Sequence, residues 1–234
     1  YILIDYIVKR IMKTLSTGKL HDDSKPLYLD VDDVILNTRD LVAQMLHERK
    51  CREDSTYQAR FGDKPFKPER SWGFQSTYRG LKKSEILDML DSDEFWNRVT
   101  FKQDMMVLLN KPEIRENYNY VFVTKGTETN IGKKFEKMKE KFNFNICSFY
   151  AIDEDESKSV VDMSTGIMID DNYDFLKETN AKIRLLYRES VGTDANGYWR
   201  LKDNLENLYV CEFVDEIEDI LKFNLMSELV DFEL

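Results

Sequence analysis

Three apolar runs in this chain stop at residues that can do chemistry on an oxygen or phosphorus centre. Leu27-Tyr-Leu-Asp30-Val-Asp32-Asp33-Val34 ends in two aspartates with one residue between them, followed by a third. One such carboxylate can attack as a covalent nucleophile, and a second can move a proton to or from a leaving oxygen. Val121-Phe-Val-Thr124-Lys125-Gly126-Thr127 ends in a hydroxyl, a lysine and a glycine. Free amides opening a helix at such a turn can hold a phosphate oxygen. Ile167-Met-Ile-Asp170-Asp171 delivers an adjacent acidic pair. Hard carboxylate oxygens suit Mg²⁺, which takes one or two of them and completes its shell with substrate phosphate and water. Lys158 precedes this pair, behind the acidic stretch Asp153-Glu-Asp-Glu-Ser157.

These groups meet only if their runs are strands of one sheet with the same direction. The pattern along the chain supplies that arrangement. Strands are predicted at Leu27–Val31, Tyr118–Val123, Ile146–Ile152, Gly166–Ile169, Ile183–Tyr187 and Leu208–Val210. Between them lie helical spacings. Asn37 or Thr38 caps a helix whose face carries Leu41, Val42, Met45 and Leu46. Further helices are predicted at Ser84–Leu90, Phe101–Leu109, Tyr173–Thr179, along Ile131, Phe135, Met138 and Phe142, and along Phe213, Ile217, Ile220 and Leu221. Strands alternating with helices imply an α/β fold, a parallel sheet covered on both faces in three layers. In open sheets of this kind ligands sit beyond the carboxyl ends of the strands.

Residues 42–104 separate the first two core strands and are broken by Gly62, Pro65, Pro68, Gly73 and Gly80. That length exceeds a simple crossover and predicts a helical cap inserted after the first strand. The remaining division is an N-terminal helix and loop (1–26), a core (27–41 and 105–222) and a C-terminal tail (223–234). The N-terminal helix is read from Ile4, Ile7, Ile11 and Leu15, with Asp5, Lys9 and Arg10 interrupting any membrane-like run.

The chain has 234 residues, 34 basic against 44 acidic, a net charge of −10. With 42% hydrophobic and 12% aromatic residues it can build a sizeable core, which excludes a disordered or fibrous protein. The acidic balance argues against a partner as long as a nucleic acid. A small anionic substrate stays compatible, because one metal ion reverses the local field. Three cysteines without a CxxC pair give neither a disulfide framework nor a zinc knuckle and suit a reducing, cytoplasmic setting. No membrane partner is expected; a homodimer is compatible with this reading.

The three strand ends together with Lys158 resemble the haloacid dehalogenase superfamily. Its four motifs are an Asp-x-Asp-x-Thr/Val strand end, a Ser/Thr strand end, a lysine and an acidic pair. Here they read Asp30-Val-Asp32-Asp33-Val34, Thr124, Lys158 and Asp170-Asp171. Within it the chain looks most like the 5′(3′)-deoxyribonucleotidases, through Trp72-Gly-Phe74 with Tyr78 and Leu81, Glu94-Phe95-Trp96, and Lys158-Ser-Val-Val161 leading to the acidic pair. It departs at Asp33, where that family usually has Gly, and at Thr-Lys-Gly in place of Thr-Ser-Pro.

The resemblance implies a Mg²⁺-dependent phosphomonoesterase acting on (deoxy)nucleoside monophosphates through an aspartyl-phosphate. Asp30 would be the nucleophile and Asp32 the general acid and base. Thr124, Lys125 and Lys158 would hold the phosphate. The Asp30 carboxylate, the Asp32 backbone carbonyl and Asp171 would contact the metal, with Asp170 acting through water. Trp72, Phe74, Phe95 and Trp96 in the cap are candidates to stack on a base. Their packing into the cap's own core is the competing expectation, favoured for Phe95 and Trp96. Another small phosphate ester, a nucleic-acid end, or a binding module that keeps the fold without turnover are the alternatives.

Overall fold

The computed structural model describes residues 14–16, 24–62, 74, 81–187 and 205–231. Trp72, Tyr78, the segment 190–204 and most of the expected N-terminal helix lie outside them. Where that helix was expected to end, Thr14–Ser16 instead form a short strand, β1, antiparallel to a core strand. Leu15 therefore continues no helix, because its backbone is committed to the sheet edge.

Six strands run parallel: β2 (Lys25–Leu29), β3 (Tyr118–Gly126), β4 (Ser148–Asp153), β5 (Ile167–Asp170), β6 (Ile183–Tyr187) and β7 (Leu208–Cys211). Their order across the sheet is β1-β4-β3-β2-β5-β6-β7. The order reverses direction of growth at β2, which lies between β3 and β5, so β2 is the topological switch point.

Side chains alternate across each strand with a period of two. Leu27, Leu29, Phe122, Ile167, Ile169 and Leu185 face one apolar core; Tyr28, Val121, Val123, Met168 and Leu186 face the other. That double burial explains why these strands read as continuous apolar runs rather than as alternating ones.

The helices are α1 (Thr38–Glu53), α2 (Ser55–Phe61), α3 (Lys83–Leu90), α4 (Asp93–Arg98), α5 (Gln103–Leu109), α6 (Pro112–Arg115), α7 (Glu128–Met138), α8 (Tyr173–Glu178) and α9 (Val214–Asp231). The α1 face expected from sequence is buried, with Leu41, Val42, Met45 and Leu46 all in the core. Asn37 stands at its N-cap without a side-chain capping bond. Helices α2, α4 and α6 escaped the periodicity because, at seven, six and four residues, each is shorter than two turns. Helix α9 runs through residue 223, where a tail was expected to begin.

Local chemistry ties the inserted helices to the core. Thr127 accepts the Asn130 amide at 3.1 Å, capping α7, and donates its hydroxyl to Asp91 at 2.8 Å. Asn130 donates to the Leu90 carbonyl at 3.2 Å, and Lys133 pairs with Asp93 at 2.5 Å. Among the described residues no helix is long and apolar enough to cross a membrane.

Candidate active site

The register of the sheet brings the three strand ends together. Leu29 pairs with Phe122 on one side and with Ile169 on the other, and the Asp30 amide donates to the Ile169 carbonyl at 3.0 Å. Asp30 is thereby level with Asp170, while Thr124 ends the neighbouring run. Beyond Asp30 the chain folds into a tight turn: the amides of Ile35 and Leu36 both donate to the Val31 carbonyl, and the Asp33 amide donates to Leu36.

Asp33 takes a left-handed backbone conformation, φ 55°. Aspartate is one of the few residues that visits this region, at a cost of about 1–2 kcal/mol. Its Oδ1 accepts the Arg39 amide at 2.9 Å, which stitches the turn to the start of α1. The Thr38 hydroxyl donates to Asp32 Oδ1 at 2.8 Å. The first turn of α1 is thus held by two aspartates from the turn before it, rather than by Asn37.

Asp30, Asp170 and Asp171 each present an oxygen within 4.8 Å of the others, and all three are buried. Lys158, fully buried on a single 3₁₀ turn, donates to Asp30 Oδ1 at 2.9 Å and to Asp170 Oδ2 at 2.6 Å. Asp170 Oδ1 accepts the Asn172 amide at 2.8 Å. Burial raises the Asp30 carboxyl to about 7, with Asp170 and Asp32 adding to the shift and Lys158 opposing it. Burial, with the charges of Asp33, Asp170 and Asp30, holds Asp171 well above the usual carboxylate range. Asp33 is raised to about 6, chiefly by burial, against the pull of Arg39.

Carboxyls raised by burial and by one another mark a place short of positive charge. A hard, small divalent cation fits that deficit and that donor set. The Asp32 carboxylate stands outside this cluster, so any share Asp32 takes in holding a cation falls to its backbone carbonyl.

Lys134 is the residue that sequence reasoning missed. It lies on α7, only 1% exposed, and its ammonium contacts Asp32 Oδ2, Thr124 Oγ1 at 2.9 Å and the Lys125 carbonyl at 2.7 Å. The signal was present: Lys134 falls on the buried stripe of Asn130, Ile131 and Met138, where a lysine is out of character. Thr124 is fully buried beneath this clasp. The Lys125 ammonium lies over the Phe175 ring at 5.1 Å, and Lys158 lies over the same ring at 5.0 Å.

The cap aromatics are placed differently from a base-stacking surface. Phe74 and Phe95 are fully buried in the main core. Trp96 packs edge-on to Phe95, centroids 5.2 Å apart, and donates its indole N–H to the Leu90 carbonyl at 2.6 Å. Phe74 and Phe95 offer no face to a ligand here, because the apolar surface they bury is what holds the inserted helices to the core. Trp72 lies outside the described residues.

No family model matches the chain, and no curated protein matches it. Solved structures do. A haloacid dehalogenase-like family hydrolase from Streptococcus pneumoniae superposes with a TM-score of 0.52 at 12% identity, covering 84% of this chain and 98% of that one. A predicted phosphatase from Clostridium acetobutylicum gives 0.52 at 14% identity, over 85% and 98%. A Bacillus subtilis protein assigned to the same hydrolases, in a magnesium-bound crystal form, gives 0.51 at 11% identity, over 86% and 99%. The chain therefore has the haloacid dehalogenase-like fold, a parallel Rossmann-like sheet flanked by helices.

Proposed function

We propose that the protein is a Mg²⁺-dependent phosphomonoesterase. The observation that carries this reading is the convergence of Asp30, Asp170 and Asp171 within 4.8 Å around Lys158 at the switch point of the sheet. The magnesium bound by the Bacillus subtilis structure of like fold adds support. Mg²⁺ held by Asp30, Asp171 and the Asp32 carbonyl, with Asp170 behind it, would neutralise the carboxylates and the incoming phosphate.

The chain's own residues account for both half-reactions. In the first, an Asp30 carboxylate oxygen bonds to phosphorus as the bond to the leaving oxygen breaks, and that oxygen takes a proton from the Asp32 carboxyl. In the second, the Asp32 carboxylate takes a proton from water, whose oxygen bonds to phosphorus as the aspartyl–phosphate bond breaks. Phosphate leaves and Asp30 is restored. Lys158 keeps Asp30 aimed and offsets its charge, and Thr124 with Lys125 flanks the phosphate.

The substrate we propose is a (deoxy)nucleoside monophosphate. This half of the reading is supported by the resemblance at Trp72-Gly-Phe74, Glu94-Phe95-Trp96 and Lys158–Val161. With Phe74 and Phe95 buried, the candidates left for base contacts are Trp72 and the partly buried Trp96. The setting that suits three free thiols is the cytoplasm. A panel of nucleotides, sugar phosphates and an aryl phosphate, assayed for phosphate release with Mg²⁺ and with EDTA, tests both halves. Mg²⁺-dependent release from sugar phosphates alone would remove the nucleotide; no release from any ester would remove the phosphatase.

A further inference from the structure

Asp32 is held at both oxygens, and the two holders come from different elements. Thr38 of α1 donates to Oδ1, and Lys134 of α7 donates to Oδ2. An ammonium has three N–H donors, and Lys134 spends one on each of three acceptors: the Asp32 carboxylate, the Thr124 hydroxyl and the Lys125 carbonyl. Burying a lysine is costly unless it is so satisfied, and the satisfied state fixes direction as well as charge. Asp32 is also the more accessible partner, its side chain 23% exposed against 2% for Lys134. The carboxyl therefore projects toward solvent from a buried anchor.

We propose that Lys134 is a positioning residue: it clamps the Asp32 carboxyl to the Thr124 strand end and so sets the angle at which Asp32 meets the leaving oxygen. The inference rests on the phosphomonoesterase reading above, in which Asp32 is the acid and base. Each Asp32 oxygen keeps a lone pair for its holder whether or not the carboxyl carries a proton, so the clamp survives both half-reactions. Without Lys134, Asp32 is held at Oδ1 only and swings about the Thr38 contact. Lys158 has no such role, because its two acceptors are Asp30 and Asp170.

Leaving groups separate this role from a structural one. An alkoxide leaving from an alkyl phosphate needs its proton as the bond breaks; 2,4-dinitrophenolate, a weak base, does not. Positioned proton transfer is worth roughly 10²–10⁴ in rate. Lys134→Met should therefore lower kcat/KM on an alkyl phosphate by at least about 100-fold, while the loss on 2,4-dinitrophenyl phosphate stays under about fivefold.

In a double-mutant cycle, adding Lys134→Met to Asp32→Ala should cost less than about twofold more on either substrate, since the group to be positioned is gone. The double variant also removes both charges of the pair, so it keeps the test open if Lys134→Met alone does not fold. Equal losses on the two substrates, or a full further loss in the double variant, would overturn the clamp and leave the phosphatase standing. If wild-type protein with Mg²⁺ hydrolyses neither ester, the functional reading and the clamp fall together.

Discussion

Two buried lysines flank the strand ends, and they are built for different tasks. Lys158 sits on a 3₁₀ turn within reach of two carboxylates, Asp30 at 2.9 Å and Asp170 at 2.6 Å. Burial alone would depress it, yet the charges of Asp170 and Asp30 outweigh that and raise it above the ordinary lysine range. Lys134 sits in the middle of a helix and shares itself among one carboxylate, one hydroxyl and one carbonyl. The first lysine balances charge where charge is crowded; the second fixes the geometry of one side chain. Equal burial thus conceals unequal work, and acceptor type tells the two apart.

The largest expected effect tests the carboxylate that Lys158 serves. Asp30→Asn should lower turnover by at least about 10³-fold on every ester, as loss of a covalent nucleophile does. The melting temperature should hold or rise slightly, since a repelling carboxylate is removed. Steady-state phosphate release and thermal melting measure both. Retention of a tenth of wild-type activity would take the nucleophile away from Asp30 and leave Lys158 balancing charge for some other purpose.

Lys158→Met comes next and sharpens the contrast with Lys134. It leaves Asp30 and Asp170 as buried, uncompensated charges, which costs about 3–5 kcal/mol when one partner of a buried pair is lost. For a chain of this size that is a fall of about 6–20 °C in melting temperature. Activity should drop alike on alkyl and dinitrophenyl phosphates, because Lys158 serves the nucleophile and not the leaving oxygen. A loss confined to alkyl esters would exchange the roles assigned to the two lysines.

Phe95→Ala supplies the purely structural standard against which both lysines are judged. Phe95 is fully buried, and truncating such a ring costs about 3–5 kcal/mol. Both substrates should suffer equally, and only to the extent that folded protein is lost, as calorimetry beside initial rates would show. Selective loss on a nucleotide would restore Phe95 to the substrate and break the view of its ring as packing that holds the inserted helices to the core.

The sequence was informative where chemistry and strand ends coincide. Asp30, Asp170, Asp171 and Thr124 each end or follow an apolar run, and parallel register alone suffices to gather them. Lys158 was read from its place behind an acidic stretch and ahead of the acidic pair, and reaches them from a 3₁₀ turn. Lys134 was illegible to a search along strands, because it reaches the site sideways from α7 and its partners are 102 and 10 residues away. It was visible only as a cation on a buried helical stripe. Asp33 was legible as a departure from glycine, but not as a left-handed residue holding α1 through the Arg39 amide. The cap aromatics were ambiguous for a physical reason: a ring that stacks on a base and a ring that fills a core have the same composition and spacing, and only burial separates them.

The acidic pair offers a finer division beside Lys158. Both Asp170 oxygens already accept from protein donors, Lys158 and the Asn172 amide. Asp171 is therefore the freer ligand, so Asp171→Asn should raise the Mg²⁺ concentration for half-maximal activity by about tenfold more than Asp170→Asn does, a difference of about 1.4 kcal/mol. Mg²⁺ titrations of the two variants decide it, and equal shifts would mean that Asp170 leaves Lys158 for the metal.

A further effect is on stability and needs no catalysis. In EDTA, Asp30 titrates near 7 and Asp33 near 6, both raised chiefly by burial, against about 3.9 in the unfolded chain. Between those limits the folded protein holds more protons than the unfolded one, so stability falls as pH rises through the window of about 4 to 7. Lys158 is raised in the alkaline direction and stays charged throughout, adding no slope of its own. The metal-free melting temperature should thus climb as pH is lowered from 7.5 to 5.5, by about 2–4 °C for each kcal/mol recovered. Mg²⁺ binds the ionised carboxylates only, so it should stabilise more at pH 7.5 than at pH 5.5 and flatten the slope. Thermal melts at the two pH values, with EDTA and with Mg²⁺, measure it. A metal-free melting temperature that rises with pH would mean that Lys158 already neutralises the cluster unaided, and the crowding that distinguishes it from Lys134 would be gone.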